Sequence, residues 1–206
     1  FSNDGNMVAF VRNNNIFIKR LQFDTEVQVT TDGGNDVANG VRHNKITQAF
    51  GELTSMAWSA DNSSLVYIKN QQVYIYNVQY KWNKQVELPQ FVDGYITHIQ
   101  WTNNENQFVV MYLNRLQTEL SIALVDVNTL IAKRIYNYKE DKYISPENAS
   151  YILIFPDSNE FGVLEEKDGY NHLHVYSINN GRYIYQVGKG DYDVTKIYGY
   201  DPKLEQ

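Results

Sequence analysis

Few residues in this chain have the types and spacing that chemistry requires. His172-x-His174 comes nearest to a metal-ligand pattern. Residues two apart on a strand share a face, so both imidazoles would point the same way. A zinc site needs at least one more protein ligand, and none is evident, so packing or hydrogen bonding within a strand is the ordinary reading. Glu140-Asp141 and Glu165-Glu166 are adjacent acids. Neighbours on a strand face opposite ways, so neither pair forms a ready acid/base dyad, and both read as solvated loop charges. The strained Gly-x-Ser-x-Gly elbow that exposes a hydrolase serine is missing. So are a phosphate-cradling glycine loop with Lys-Ser/Thr and a His-Glu-x-x-His pair. Asn62-Ser63-Ser64 and Asn148-Ala149-Ser150 match the glycosylation triplet, a frequent coincidence in a chain rich in asparagine. The expectation is a binding or gating scaffold with no catalytic residue, cofactor or metal of its own.

The elements that would carry such a scaffold are strands. The 206 residues include 17 Tyr, 9 Phe and 3 Trp, and aromatic side chains favour pleated, half-buried surfaces. Most of these tyrosines should be core residues with a wet hydroxyl. Hydrophobic residues make up 43%, enough for a real core. A net charge of −6 argues against nucleic acid or an anionic membrane as partner, because both select a basic patch. Without cysteine there is neither a disulfide framework nor thiolate chemistry. No run approaches the roughly 20 apolar residues of a membrane span. The sequence carries no signal peptide and opens at Phe1 inside what looks like a repeat, which reads as trimming rather than as a cytoplasmic address.

The repeat appears on aligning four lead aromatics: Phe1-Ser2-Asn3-Asp4, Trp58-Ser59-Ala60-Asp61, Trp101-Thr102-Asn103-Asn104 and Phe155-Pro156-Asp157-Ser158. Each is followed by an apolar run, a second run and a more polar third. In the last unit these are Phe161 to Leu164, His172 to Tyr176 and Tyr183 to Val187, separated by Asp168-Gly169 and Asn179-Asn180-Gly181, the punctuation of β-hairpins. A further short run precedes the last three leads, at Ser55-Met56-Ala57, His98-Ile99-Gln100 and Tyr151 to Ile154. Four short strands per roughly 50 residues, repeated, predict an all-β chain of β-propeller blades, each a four-stranded antiparallel meander. The expected units are 1–54, 55–97, 98–150 and 151–192, then the first strand of a next blade at 193–202. An arc of a larger propeller and a closed four-blade ring both fit this pattern, and the arc is favoured. Two connections stand out. Asp32 to Thr54 is long, polar and therefore a candidate for function, whereas Lys69-Asn70-Gln71-Gln72 is a tight link.

Nearly the whole chain resembles, in order, the N-terminal propeller of dipeptidyl peptidase IV-type enzymes, particularly the bacterial ones. The resemblance rests on "FSNDGNMVAFVRNNNIFIKRL", "EVQVTTDGG", "AWSADNSSLVYIK", "LNRLQ", "EKDGYNHLHVYSINNG" and "GKGDYDVTKIYGYDP". It implies an arc of an eight-bladed propeller fused to a C-terminal α/β-hydrolase domain of the same protein. The parent would be a secreted or periplasmic serine peptidase that releases dipeptides from free N-termini, preferring Pro or Ala in second place. The implied partners are a peptide with a free N-terminus and the hydrolase domain, and a homodimer is allowed. The propeller would gate access and anchor the substrate's amino group.

One stretch departs from the family pattern. The family's paired-Glu motif would fall between Gly40 and Gly51, where two carboxylates bind a protonated amine by charge-assisted hydrogen bonds. Thr47, Gln48 and Ala49 stand there instead, as candidate substrate-binding positions of different chemistry. Arg42, His43 and Lys45 make the segment basic, which repels an ammonium group. The expectation is either lost aminopeptidase specificity or recognition of another substrate feature. A propeller-type peptide or protein binding module without peptidase function is the alternative reading.

Overall fold

A computed structural model describes residues 1–41, 55–88, 94–167, 169–201 and 203. Its described residues contain strands and no helix. The strands are β1 (Met7–Arg12), β2 (Asn15–Arg20), β3 (Thr25–Gln28), β4 (Met56–Trp58), β5 (Ser64–Lys69), β6 (Gln72–Asn77), β7 (Asn83–Gln85) and β8 (Gly94–Trp101). They continue as β9 (Gln107–Asn114), β10 (Glu119–Asp126), β11 (Ala132–Lys139), β12 (Leu153–Ile154), β13 (Glu160–Lys167), β14 (Tyr170–Ser177) and β15 (Tyr183–Val187).

These strands form four sheets in strict sequence order, β1 to β3, β4 to β7, β8 to β11 and β12 to β15, each antiparallel throughout. The turns explain the registers. Asn13 and Asn14 both have positive φ, as do Asn70 and Gln71, so the links Arg12 to Asn15 and Lys69 to Gln72 are two-residue loops of the I′ kind. That backbone twist matches the right-handed twist of the flanking strands, which is why asparagine recurs there. The register of β13 and β14 closes at Lys167 and Tyr170, and Gly169 between them has positive φ.

The core lies between sheets. Ile16 and Ile18 of the first blade pack with Leu65, Tyr67 and Tyr76 of the second. Val66, Ile68, Val73 and Ile75 of the second pack with Ile96, Ile99, Phe108 and Val110 of the third. Met111, Ile122, Ile135 and Tyr136 of the third pack with Phe161, Val163 and Tyr176 of the fourth. Alternation along β5 and β9 thus feeds two different seams, since successive side chains point to opposite faces. Burying one such side chain contributes about 1.5–3 kcal/mol, so each seam is held mainly by burial. Polar staples add direction. Asn3 Nδ2 donates to the Ser59 carbonyl at 2.8 Å, and Asn103 Nδ2 donates to the Phe155 and Ser158 carbonyls at 2.6 and 2.9 Å. Between the second and third blades Trp101 Nε1 donates to the Ala57 carbonyl at 2.9 Å.

The four blades form an open arc. Each seam joins consecutive blades, and among the described residues no core cluster joins the fourth to the first. The outer face of the fourth blade instead packs Leu153, Phe155 and Val175 against Ile197 and Tyr200. Two details differ from the sequence expectation. The expected boundary at 97/98 falls inside β8, which starts at Gly94 and is longer than its central His98-Ile99-Gln100. The stretch after 193, expected to be a strand, has none in its described part and is tied down by Val194 N donating to the Asn171 carbonyl at 2.7 Å. A strand needs a neighbour, and here the apolar side chains find sheet faces instead.

Candidate functional site

The hairpin tips and the connections between blades meet on one rim. Asn14 Nδ2 donates to the Gly34 carbonyl at 2.9 Å, and Asn39 Nδ2 donates to the Asn14 carbonyl at 3.0 Å. At the next tip, Asn70 Nδ2 donates to the Asp36 carbonyl and Asn70 Oδ1 accepts from Ala38 N. Residues 32–41 are therefore stitched to the tips of both the first and second blades. Gln71 Oε1 accepts from Ile96 N, Ile144 N donates to the Gln117 carbonyl, and Asn148 and Asn171 exchange side-chain hydrogen bonds at 3.0 and 3.1 Å. The same edge of the arc is thereby continuous from the first blade to the fourth. A cleft of ≈ 470 Å³ opens there between the second and third blades, lined among others by Gln71, Gln72, Gln85, Tyr112 and Arg115.

The long connection has a closed base on this rim. Gly40 N donates to the Ile68 carbonyl at 2.8 Å, Ile68 N donates to the Ser55 carbonyl at 3.0 Å, and Ser55 Oγ donates to the Gly40 carbonyl at 2.6 Å. Beside them Lys69 pairs with Asp32, which also accepts from Asn39 Nδ2 at 3.1 Å. The Lys69 hydrogen bond is the main reason the Asp32 carboxyl is held below its ordinary range. Arg42, His43, Lys45, Thr47, Gln48 and Ala49 all belong to 42–54, outside the described residues.

One recurrent feature of the rim escaped the sequence reading. In three blades one meander strand, β1, β5 or β13, ends in a cation that lies over an aromatic ring and pairs with a carboxylate. Arg12 sits 4.0 Å from the Phe17 ring centroid and pairs with Glu26. Lys69 sits 5.1 Å from the Tyr74 centroid and pairs with Asp32. Lys167 sits 5.6 and 5.4 Å from the Tyr176 and Tyr183 centroids and pairs with Glu165 at 2.6 Å. The available signal was positional, because each cation is the last residue before a two-residue turn.

Glu165 corrects the solvated reading of its acid pair. Its side chain is 1% exposed, whereas Glu166 faces solvent. It shares a face of β13 with Phe161 and Val163 and so enters the seam with the third blade. Tyr176 donates its hydroxyl to Glu165 Oε1, and Lys167 Nζ reaches the Tyr176 oxygen at 3.0 Å. Burial, reinforced by the Glu165 charge, pushes the Tyr136 and Tyr176 phenols well above their usual range. Glu140 accepts from the Tyr138 hydroxyl, and Asp141 is exposed.

His172 and His174 share a buried face, as alternation predicts, opposite Glu165 and Val163. His172 stands edge-on to Tyr192 at 5.2 Å, and His174 is tilted against Tyr183 at 6.0 Å. Among the described residues no group of three or more His, Asp or Glu is placed to hold a metal ion. No helix there is long and apolar enough to cross a membrane. Both glycosylation-type asparagines have structural partners: Asn148 is buried against Asn171, and Asn62 Oδ1 accepts from Asn3 N.

Comparison with known proteins decides the family. The family profile described as "Dipeptidyl peptidase IV (DPP IV) N-terminal region" matches residues 1–80 and 69–206. The chain belongs to this family. A crystal structure of Porphyromonas gingivalis dipeptidyl peptidase 4 superposes with a TM-score of 0.90 at 35% identity, covering 98% of this chain and 34% of that one. An Aspergillus flavus protein named "Probable dipeptidyl peptidase 4" is 23% identical over 98% of this chain and 32% of its own length. A Podospora anserina protein named "Probable dipeptidyl-aminopeptidase B" is 36% identical over 76 residues, 35% of this chain and 8% of its own length. The chain thus spans about a third or less of the length of these three relatives.

Proposed function

We propose that this chain is the non-catalytic propeller part of a dipeptidyl peptidase IV-like serine exopeptidase. It gates access and positions the peptide N-terminus for a C-terminal α/β-hydrolase domain of the same protein. The observation that carries this reading is the match to the dipeptidyl peptidase IV N-terminal family along the whole chain. The geometry of the rim supports it. A wall of stapled blades carries, on one edge, the hydrogen-bonded Gly40, Ser55 and Ile68 that flank and hold the long connection. Side-chain amides lining the cleft between the second and third blades are suited to the carbonyl and N–H groups of an extended peptide. Peptide chemistry falls to the hydrolase domain on this reading, because the Gly-x-Ser-x-Gly elbow is missing from this chain's sequence. The protein is periplasmic or secreted on this reading, and it can pair as a homodimer.

One observation favours a second reading. Thr47, Gln48 and Ala49 replace the carboxylates that would hold a protonated amine, beside basic Arg42, His43 and Lys45. A propeller binding module without peptidase work accounts for that replacement. The non-catalytic role is tested by incubating the purified 206-residue chain with a dipeptidyl chromogenic substrate. The expected result is no release of the chromophore, and measurable release overturns the assignment.

A further inference from the structure

We propose that the nest around Glu165 is a binding site for a primary alkylammonium, filled at rest by the Lys167 ammonium and open to exchange with one from solution. This rests on the side-chain geometry of the third and fourth blades and not on the peptidase reading.

The carboxylate is the anchor. A desolvated carboxylate needs compensation, and Glu165 is 1% exposed. Oε1 accepts from the Tyr176 hydroxyl and Oε2 meets Lys167 Nζ at 2.6 Å. The ammonium also reaches the Tyr176 oxygen at 3.0 Å and lies 5.6 and 5.4 Å from the centroids of Tyr176 and Tyr183. Both rings are within the ~6 Å at which an aromatic face attracts a cation. Tyr136 of the third blade backs the nest, edge-on to Tyr176 at 5.1 Å. A charge, an oxygen acceptor and two ring faces converge on one point, which is the chemistry that recognises an alkylammonium.

The other rim cations differ in one respect. The carboxylates facing Arg12 and Lys69 are 34% and 50% exposed, so water can replace either cation. Glu165 has no such exposure while Lys167 is in place. The Lys167 side chain is itself 41% exposed, so the nest opens to solvent and the lysine stem has room to swing out. A primary ammonium restores the N–H contacts to Glu165 and Tyr176, whereas a quaternary one has no hydrogen to donate. A free alkylamine and the N-terminus of a peptide present the same group.

The test is calorimetric titration of the protein and of Lys167→Ala with n-butylammonium, tetramethylammonium, Ala-Pro amide and N-acetyl-Ala-Pro amide. Lys167→Ala should bind n-butylammonium saturably and at least about tenfold more tightly than the unaltered protein, because the tethered competitor is gone. Tetramethylammonium should bind at least about tenfold more weakly than n-butylammonium, by loss of the charge-assisted hydrogen bonds. Binding of Ala-Pro amide but not its acetylated form would identify peptide N-termini as a source. Binding of n-butylammonium alone would restrict the site to free amines. Glu165→Gln combined with Lys167→Ala should abolish binding. Lys167→Gln, which keeps a long polar stem, serves as a second background if the alanine variant fails to fold. Absence of saturable ammonium binding in a folded Lys167 variant, or its persistence with Glu165→Gln, overturns the proposal.

Discussion

Ser55 Oγ donates to the Gly40 carbonyl at 2.6 Å, so the chain on either side of 42–54 is fastened together as well as to Ile68 of β5. The Gly40 backbone lies at φ +69°, and a Cβ built there would stand 2.9 Å from Met56 Sδ and 3.0 Å from Ile16 Cγ1. One glycine, one serine and the end of β5 therefore make the base on either side of 42–54.

Gly40→Ala should be costly for two separable reasons. The left-handed backbone adds about 1–2 kcal/mol for a residue with a Cβ. Forcing Met56 and Ile16 aside adds about 1–3 kcal/mol. Ser55→Ala removes one hydrogen bond and should cost about 1 kcal/mol. Denaturant midpoints check both values, and a Gly40→Ala protein as stable as the parent would contradict the described base.

Asn103→Ala should loosen the seam between the third and fourth blades. Its amide satisfies two carbonyls, Phe155 and Ser158, and the Phe155 carbonyl lies in partly buried surroundings. Leaving it without a donor should cost about 1–3 kcal/mol, read as a lower midpoint with an unchanged denaturant slope. Asn3→Ala loses one good bond to the Ser59 carbonyl at 2.8 Å and a long one to Ala60 at 3.5 Å, and should cost less.

Alkaline pH should destabilise the chain through its buried phenols. Burial pushes Tyr67 up to about 12, and Tyr136 and Tyr176 also lie above the ordinary value of 10.0. A raised folded-state pKa favours the protonated form in the fold, so this stability is fully present below about pH 10 and is lost as pH climbs through the folded values. The denaturant midpoint should hold between about pH 8 and pH 9 and fall by about pH 11. Phenolate absorbance should rise in two steps, exposed tyrosines first and the buried ones on unfolding. A single step at the ordinary value would contradict the burial of these three.

The blade plan was legible because period-two alternation and asparagine or glycine turns coincide, as in Phe161 to Val187. Strand lengths were less so. Gly94 and Tyr95 extend β8 beyond the apolar residues that mark its centre, since pairing with Leu113 and Asn114 depends on a partner strand and not on local hydropathy. Ile197 and Tyr200 have the composition of a strand, but they pack on the fourth blade's outer face and leave Tyr198 90% exposed. The buried Glu165 was masked by its neighbour Glu166. Its register with Val163 and Phe161 on one face of β13 was the clue, and it only acquires meaning once the third blade supplies Tyr136. The cations Arg12, Lys69 and Lys167 were visible as residues, but the rings they lie over come from other strands.

We propose above that this propeller arc serves a peptidase acting on free peptide N-termini. That proposal is tested most directly by purifying the product of the full reading frame and assaying Ala-Pro and N-acetyl-Ala-Pro chromogenic substrates side by side. The free dipeptidyl substrate should release its chromophore, and the acetylated one should not. No release from either, or equal release from both, would contradict it.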